Sequence, residues 1–154
     1  MTSTIESRLK ELGIELPVAA APAANYVPFA QTGKLLLTSG QLPLSGGKLI
    51  HTGLLGAQLA VADGQEAARA CAINILAQAK AALGDLDKIA RIVKITVFVA
   101  STPNFTEQHL VANGASDLLV AVLGDAGRHA RSAVGTAALP LNAPVEVEAI
   151  IEVR

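Results

Sequence analysis

The sequence predicts an α+β domain: a mixed β-sheet with two main helices packed on one face and a short helix at the N-terminus. Three observations carry this. Residues 64–83 run without a proline and end at Gly84, the pattern of a long helix. Segments 89–99 and 145–153 alternate apolar and polar positions, the period of half-buried strands. Helical and strand segments interleave with no internal repeat or low-complexity linker, and so few helices cannot cover both faces of the sheet. One sheet face is therefore expected to be left for a partner subunit. Residues 1–154 are expected to form a single domain, long enough to bury about 68–70% of the unfolded chain's surface.

Each element has its own signature. Ser3 and Glu6 have capping-box spacing, and Ile5, Leu9 and Leu12 repeat at helical intervals until Gly13 closes the turn. Residues 1–24 thus hold a short helix and the start of an extended connection, since "PVAAAPAANYVP" carries three prolines. That connection leads to Tyr26, the only tyrosine. The apolar run "KLLLTSGQLPL" reverses at Ser45–Gly47 into "KLIHTG", a predicted hairpin. Asp63 is the expected N-cap of the long helix, whose Ala67, Cys71, Ile75 and Ala79 form a face able to lie on a sheet. After the strand at 89–99, in which Val93, Ile95, Val97 and Val99 share the apolar face, Thr102 and Pro103 are the expected N-cap and N1 of a helix reaching Leu123. Asn113 and Gly114 weaken the middle of that helix. The last two strands come from "RSAVGTAAL" and "VEVEAIIEV", joined by the loop "PLNAP".

Composition narrows the function. With 51% hydrophobic but only 3% aromatic residues, the core must be built from Ala, Val, Ile and Leu in close packing. A net charge of −1 provides no global attraction to phosphate or anionic lipid, so neither a nucleic acid nor a membrane is an expected partner. Arg69, Gln78 and Lys80 interrupt the most membrane-like stretch, the N-terminus alternates charges where a signal peptide is apolar, and the chain reads as cytoplasmic. The single cysteine, Cys71, reads as a buried, inert thiol.

No cofactor or metal is expected. His51, His109 and His129 lie in separate elements, with no HxH, HExxH or cysteine-containing ligand cluster. Ser39–Gly40 lacks the preceding glycine of a nucleophile elbow, and the glycines at 46 and 47 fit a turn better than a phosphate loop. Arg131 stands apart, because it opens a strand among small residues, where a guanidinium needs an anionic partner. Two readings stay open: an internal ion pair with Glu146 or Glu148, or bidentate capture of an anionic ligand while a glutamate handles a proton. His129, two residues earlier on an extended chain, points to the same side as Arg131.

The segments "NYVPFAQTGKLLLTSGQLPL", "GDLDKIARIVKITVFVASTPNF" and "RSAVGTAALPLNAPVEVEAIIEV" resemble the RidA (YjgF) family of small trimeric proteins with a chorismate mutase-like fold. The resemblance implies hydrolysis of reactive enamines or imines of amino acids to 2-keto acids and ammonia, in clefts between subunits of a homotrimer. It places Arg131 where the family's arginine holds a substrate carboxylate and Glu146 where a glutamate positions water, with Tyr26, Ser39 and Gly40 lining the same cleft. The chain departs from that pattern at Ala133, where a cysteine is usual, at His109, where an asparagine is usual, and at Ala112, which replaces an aromatic. Its N-terminal helix and the approach "GDAGRHA" resemble a longer branch of the family, often labelled endoribonuclease L-PSP. His109 and His129 are then expected to reshape the substrate pocket with titratable groups. A non-catalytic trimer that binds a small carboxylate-bearing metabolite is the alternative function, and ribonuclease activity the third.

Overall fold

Val145, Val147, Ala149, Ile151 and Val153 are all buried on one side of the last strand, and the fold is assembled around that side. The computed structural model describes residues 4–22 and 24–154. The elements are α1 (Thr4–Glu11), β1 (Phe29–Thr32), β2 (Leu35–Thr38), β3 (Leu44–Ser45), β4 (Lys48–Leu49), α2 (Val61–Leu83), β5 (Ile89–Ala100), α3 (Gln108–Leu123), β6 (Ala130–Thr136) and β7 (Val145–Val153). The main sheet has the order β1-β2-β7-β5-β6; only the β5–β6 pair is parallel. The apolar face of β7 meets α2, while α3 packs on β5 and β6; the sheet is mixed and its helices lie on one side, as the sequence predicts.

Several local expectations change. "KLLLTSGQLPL" is not one strand: β2 ends at Thr38 and pairs with β1, a strand at 29–32 that the sequence pattern does not predict. The reversal at Gly46–Gly47 does form, with both glycines at positive φ, but β3 and β4 make a separate two-stranded sheet. The last two strands are not neighbours, because β5 inserts between β6 and β7. Register shifts between Ile89 and Arg91 and between Ile92 and Lys94 move Ile92 onto the buried face in place of Val93.

The helices start elsewhere than expected. Asp63 caps α2 from within its first turn, its carboxylate accepting from the Ala60 N–H at 2.9 Å. Thr102 and Pro103 remain in a loop and α3 begins at Gln108, where the Gln108 side chain donates to the Phe105 carbonyl at 2.8 Å. Asn113 and Gly114 do not interrupt it. A Cβ at Gly114 would fall inside contact distance of the Gln65 backbone, so this glycine is what lets α3 lie close against α2. Ser3, the expected cap of α1, lies outside the described residues; the Thr4 and Ile5 N–H groups donate to the Asp87 carboxylate at 2.8 and 3.0 Å.

Small side chains fill the core, with Ala67, Ala68, Cys71, Ala72 and Ala79 of α2 fully buried. Burial pushes the Cys71 thiol up, well above its ordinary value, with the nearby Glu146 charge adding to the effect. Residues 108–127, rather than the stretch at α2, are long and apolar enough to cross a membrane. In the fold, Val111, Ala112, Ala115, Leu118, Leu119 and Val122 of this segment are buried in the core, as in a helix of a globular interior. On the opposite side of the sheet, Leu35 and Leu37 stay 38% exposed and Val134 43%, beside Glu146, Glu148 and Ile150. That face carries no helix.

Candidate functional site

The residues singled out by sequence separate into two groups on different sides of the sheet. Arg131 leads the first. It sits near the start of edge strand β6 in register with Ile95, which in turn faces Ala149, so its side chain emerges on the helix-covered side. There α3 presents a polar stripe at intervals of four and three residues. Arg131 Nη1 donates to Asn113 Oδ1 at 2.9 Å and to Ser116 Oγ at 3.1 Å, and Nη2 donates to the His109 carbonyl at 3.2 Å. All three acceptors are neutral, so the guanidinium keeps its full charge. Of the five N–H donors of an arginine, those on Nε and one on Nη2 make no hydrogen bond among the described residues. Nε–H and an Nη2–H together form the edge of a guanidinium that takes a carboxylate bidentately.

His129 completes this group. Its Nε2 lies 2.9 Å from Ser116 Oγ and its Nδ1 2.6 Å from the Gly127 carbonyl. Together with Arg131, Arg128, Ser116, Asp117 and Val120 it lines a shallow cleft of about 280 Å³. Arg128 is exposed and lies 3.5 Å from Asp125. The His109 imidazole is exposed at the start of α3, and the group it brings to Arg131 is its carbonyl rather than its ring. Asn113 and Ser116 were not singled out from the sequence. The available signal was three polar positions, 109, 113 and 116, on one stripe of the helix.

The second group gathers where the chain leaves β2. Ser39 donates through its N–H to the Pro28 carbonyl at 2.8 Å and through its hydroxyl to the Val27 carbonyl at 2.7 Å, which holds the Tyr26–Val27 segment beside it. Tyr26 is half exposed. Gln41 exchanges backbone hydrogen bonds with Val147, which seats Gly40 directly against the Glu146 side chain. The space a Cβ would take at Gly40 is occupied by the Glu146 carboxyl group, whose Cδ lies 2.8 Å from that position. Glu146 makes no hydrogen bond or ion pair among the described residues. Partial burial, and then the Glu148 carboxylate on the same strand face, push its pKa above the ordinary glutamate value.

Gly40→Ala is therefore expected to displace the Glu146 carboxyl group while leaving the fold intact, because the colliding atoms are the end of a flexible side chain. Circular dichroism and melting should be close to wild type, with any activity that needs Glu146 at this position lost.

An internal ion pair of Arg131 with Glu146 or Glu148 does not form. Arg131 registers with Ile95 on the helix-covered face, whereas Glu146 and Glu148 stand beside Phe98 and Thr96 on the other face. Two strand spacings separate β6 from β7, about 10 Å, and Glu146 lies three residues further along, about 10 Å more. Within one chain the cation and the carboxylates do not meet. No group of three or more His, Cys, Asp or Glu side chains able to hold a metal occurs among the described residues; His51 instead lies 3.0 Å from Glu66. A larger cavity of about 760 Å³, between α1, residues 13–19 and α2, contains none of the predicted site residues.

The protein family described as "YjgF/chorismate mutase-like, putative endoribonuclease" matches residues 6–153. The chain belongs to this family. It is 55% identical to Protein TCP17 of Trypanosoma cruzi over 97% of this chain and 94% of that protein. Among solved structures of the YjgF fold, the protein Atu1372 of unknown function from Agrobacterium tumefaciens is 60% identical, with a TM-score of 0.92 over 98% of this chain and 93% of that one. E. coli TdcF, solved with bound serine, is 27% identical with a TM-score of 0.65 over 89% and 94% of the two chains. The YjgF fold expected from the sequence is thus the fold of this chain.

Proposed function

We propose that the chain is a RidA-like deaminase that hydrolyses reactive enamine or imine derivatives of amino acids to 2-keto acids and ammonia, at clefts shared between subunits of a homotrimer. One observation carries the reading. A guanidinium with a free bidentate edge and no carboxylate partner, and a half-buried carboxylate with no cation, occupy opposite sides of the same chain. A ring of identical subunits brings such unlike surfaces together, one against the other, at every interface. The uncovered sheet face with Leu35, Leu37 and Val134 supplies apolar area for that contact.

The chemistry follows from the two groups. Arg131 takes the substrate carboxylate through Nε and Nη2 and fixes the adjacent imine carbon in place. Glu146 accepts a proton from water as the oxygen bonds to that carbon and the C=N double bond becomes single. That proton passes to nitrogen to give a carbinolamine; Glu146 then takes the hydroxyl proton and delivers it to nitrogen as the C–N bond breaks, so that ammonia leaves and the carbonyl of the 2-keto acid forms. Serine bound to E. coli TdcF is a ligand of similar size that also carries an α-carboxylate. The ribonuclease label in the family description gains no support from a chain with net charge −1, no tryptophan and one tyrosine, which lacks the basic, aromatic track of single-strand binders.

The test generates 2-aminoacrylate enzymatically and follows 2-keto acid formation. Wild-type protein is expected to accelerate the step, and Arg131→Ala, still folded and trimeric by light scattering, is expected to lose at least about a hundredfold of kcat/KM. No acceleration by wild type overturns the reading. Binding of a 2-keto acid without turnover of any imine would instead establish the non-catalytic carboxylate binder.

A further inference from the structure

We propose that Ser116 and His129 are positioning residues for Arg131, a hydroxyl and an imidazole that together aim the free edge of the guanidinium at its carboxylate ligand. The inference rests on the reading of Arg131 as a carboxylate anchor. The family resemblance assigns no role to either residue.

Proton positions follow from the partners. The Gly127 carbonyl only accepts, so His129 Nδ1, 2.6 Å away, carries the ring proton. In the neutral ring Nε2 is then a lone pair, and it faces Ser116 Oγ at 2.9 Å. The Ser116 hydroxyl therefore donates to His129, which turns its oxygen lone pairs away from the ring. One of them receives Arg131 Nη1–H at 3.1 Å. Each contact along Gly127, His129, Ser116 and Arg131 then pairs one donor with one acceptor, with a single orientation of the hydroxyl.

The geometry also shows what this relay adds. Residues 129 to 131 lie on one short stretch of chain, and Ser116 bridges both ends of it from α3, so the arginine's own backbone neighbour fixes the hydroxyl that fixes the arginine. Asn113 holds the other Nη1 hydrogen and the His109 carbonyl one hydrogen of Nη2. Without Ser116, Nη1 keeps one side-chain acceptor, and the planar group gains freedom to pivot about the Asn113 contact. A pivot of the plane misaligns Nε and Nη2 together, and bidentate capture demands both. The neighbouring charges, Arg128 paired with Asp125 and Asp117 on the cleft wall, make no hydrogen bond to the relay.

Calorimetric titration of the full-length protein with 2-oxobutanoate, a stable 2-keto acid, tests the relay. Ser116→Ala and His129→Phe are each expected to weaken binding roughly tenfold, the scale of one hydrogen bond to a charged group. The double variant is expected to be no weaker than either single one, because both changes break the same chain of contacts. Ser116→Thr keeps the hydroxyl and is expected to restore affinity. In turnover assays KM should rise in the same proportion with kcat little changed. Wild-type affinity in folded Ser116→Ala protein, or losses that multiply in the double variant, overturns the relay. If His129→Phe does not fold, the Ser116→Ala and Ser116→Thr pair decides alone. Wild-type protein that binds 2-oxobutanoate but turns over no imine overturns the deaminase reading and leaves the relay to be read from affinities. Wild-type protein that binds no 2-oxobutanoate overturns both.

Discussion

Co-assembly of Arg131→Ala chains with Glu146→Gln chains is expected to restore about a quarter of wild-type turnover, although neither variant is active alone. The expectation follows from where the two side chains stand. Arg131 emerges on the helix-covered side of edge strand β6, and Glu146 on the open side of β7, two strands away. If a working cleft takes its arginine from one subunit and its glutamate from the next, each mixed ring holds one interface at which both residues are intact. Random association of three chains makes about three quarters of the rings mixed, and one of three sites in each is whole. Were both residues used from the same chain, no mixture would recover any activity, since every chain lacks one of them.

The measurement is made by co-expressing two differently tagged chains, isolating the mixed species, which should then show about a third of wild-type turnover, and assaying it beside each parent. Recovery near zero, with mixed rings demonstrably present, rules out sharing of the site between subunits. Turnover by either parent on its own would mean that the residue it lacks is dispensable. Because the readout is a gain of activity, it is insensitive to the modest destabilisation that either substitution brings. Damaged folding lowers the recovered fraction and does not create one.

The open sheet face and the paired glutamates on it were legible in the sequence, because strand alternation is a local pattern and "VEVEAIIEV" displays it without ambiguity. The position of β6 was not legible. Nothing in "RSAVGTAAL" says that it will pair in parallel with β5 instead of with the strand that follows it, since that choice depends on where α3 returns the chain. The error matters for the site: with β6 beside β7, Arg131 and Glu146 would be neighbours and an internal ion pair natural. Helix α3 misled in a second way. Asn113 and Gly114 read as a weak point, whereas one is an acceptor for Arg131 and the other a contact surface for α2. Residues poorly suited to a helix in isolation were kept there by what they touch. The resemblance directed attention to Arg131, and the three-dimensional structure connects it with Ser116 and His129.

Turnover is expected to fall on the acid side as Glu146 takes up a proton, because Glu146 must be ionised to accept a proton from water. Burial is the larger cause of its raised pKa and the Glu148 carboxylate the smaller. Glu148→Gln removes the smaller cause, so the acid limb of kcat/KM is expected to move to lower pH without disappearing, whereas Glu146→Gln is expected to abolish turnover at every pH. The same shift has a signature in stability. A carboxyl group with a higher pKa in the folded chain than in the unfolded one binds more protons when folded, so stability declines as pH rises through that window. An arginine from a neighbouring subunit opposes the shift by favouring the ionised carboxylate. The effect is therefore expected to be clearest in Arg131→Ala protein, where burial and Glu148 act unopposed. In that background Glu146→Gln should raise stability against urea near neutral pH and make no difference at pH values below the ordinary glutamate range. A stabilisation that persists unchanged into acid would assign it to packing. If Glu146→Gln is equally stabilising with Arg131 present, then no arginine faces this carboxylate in the assembled protein, and the shared cleft loses its electrostatic basis.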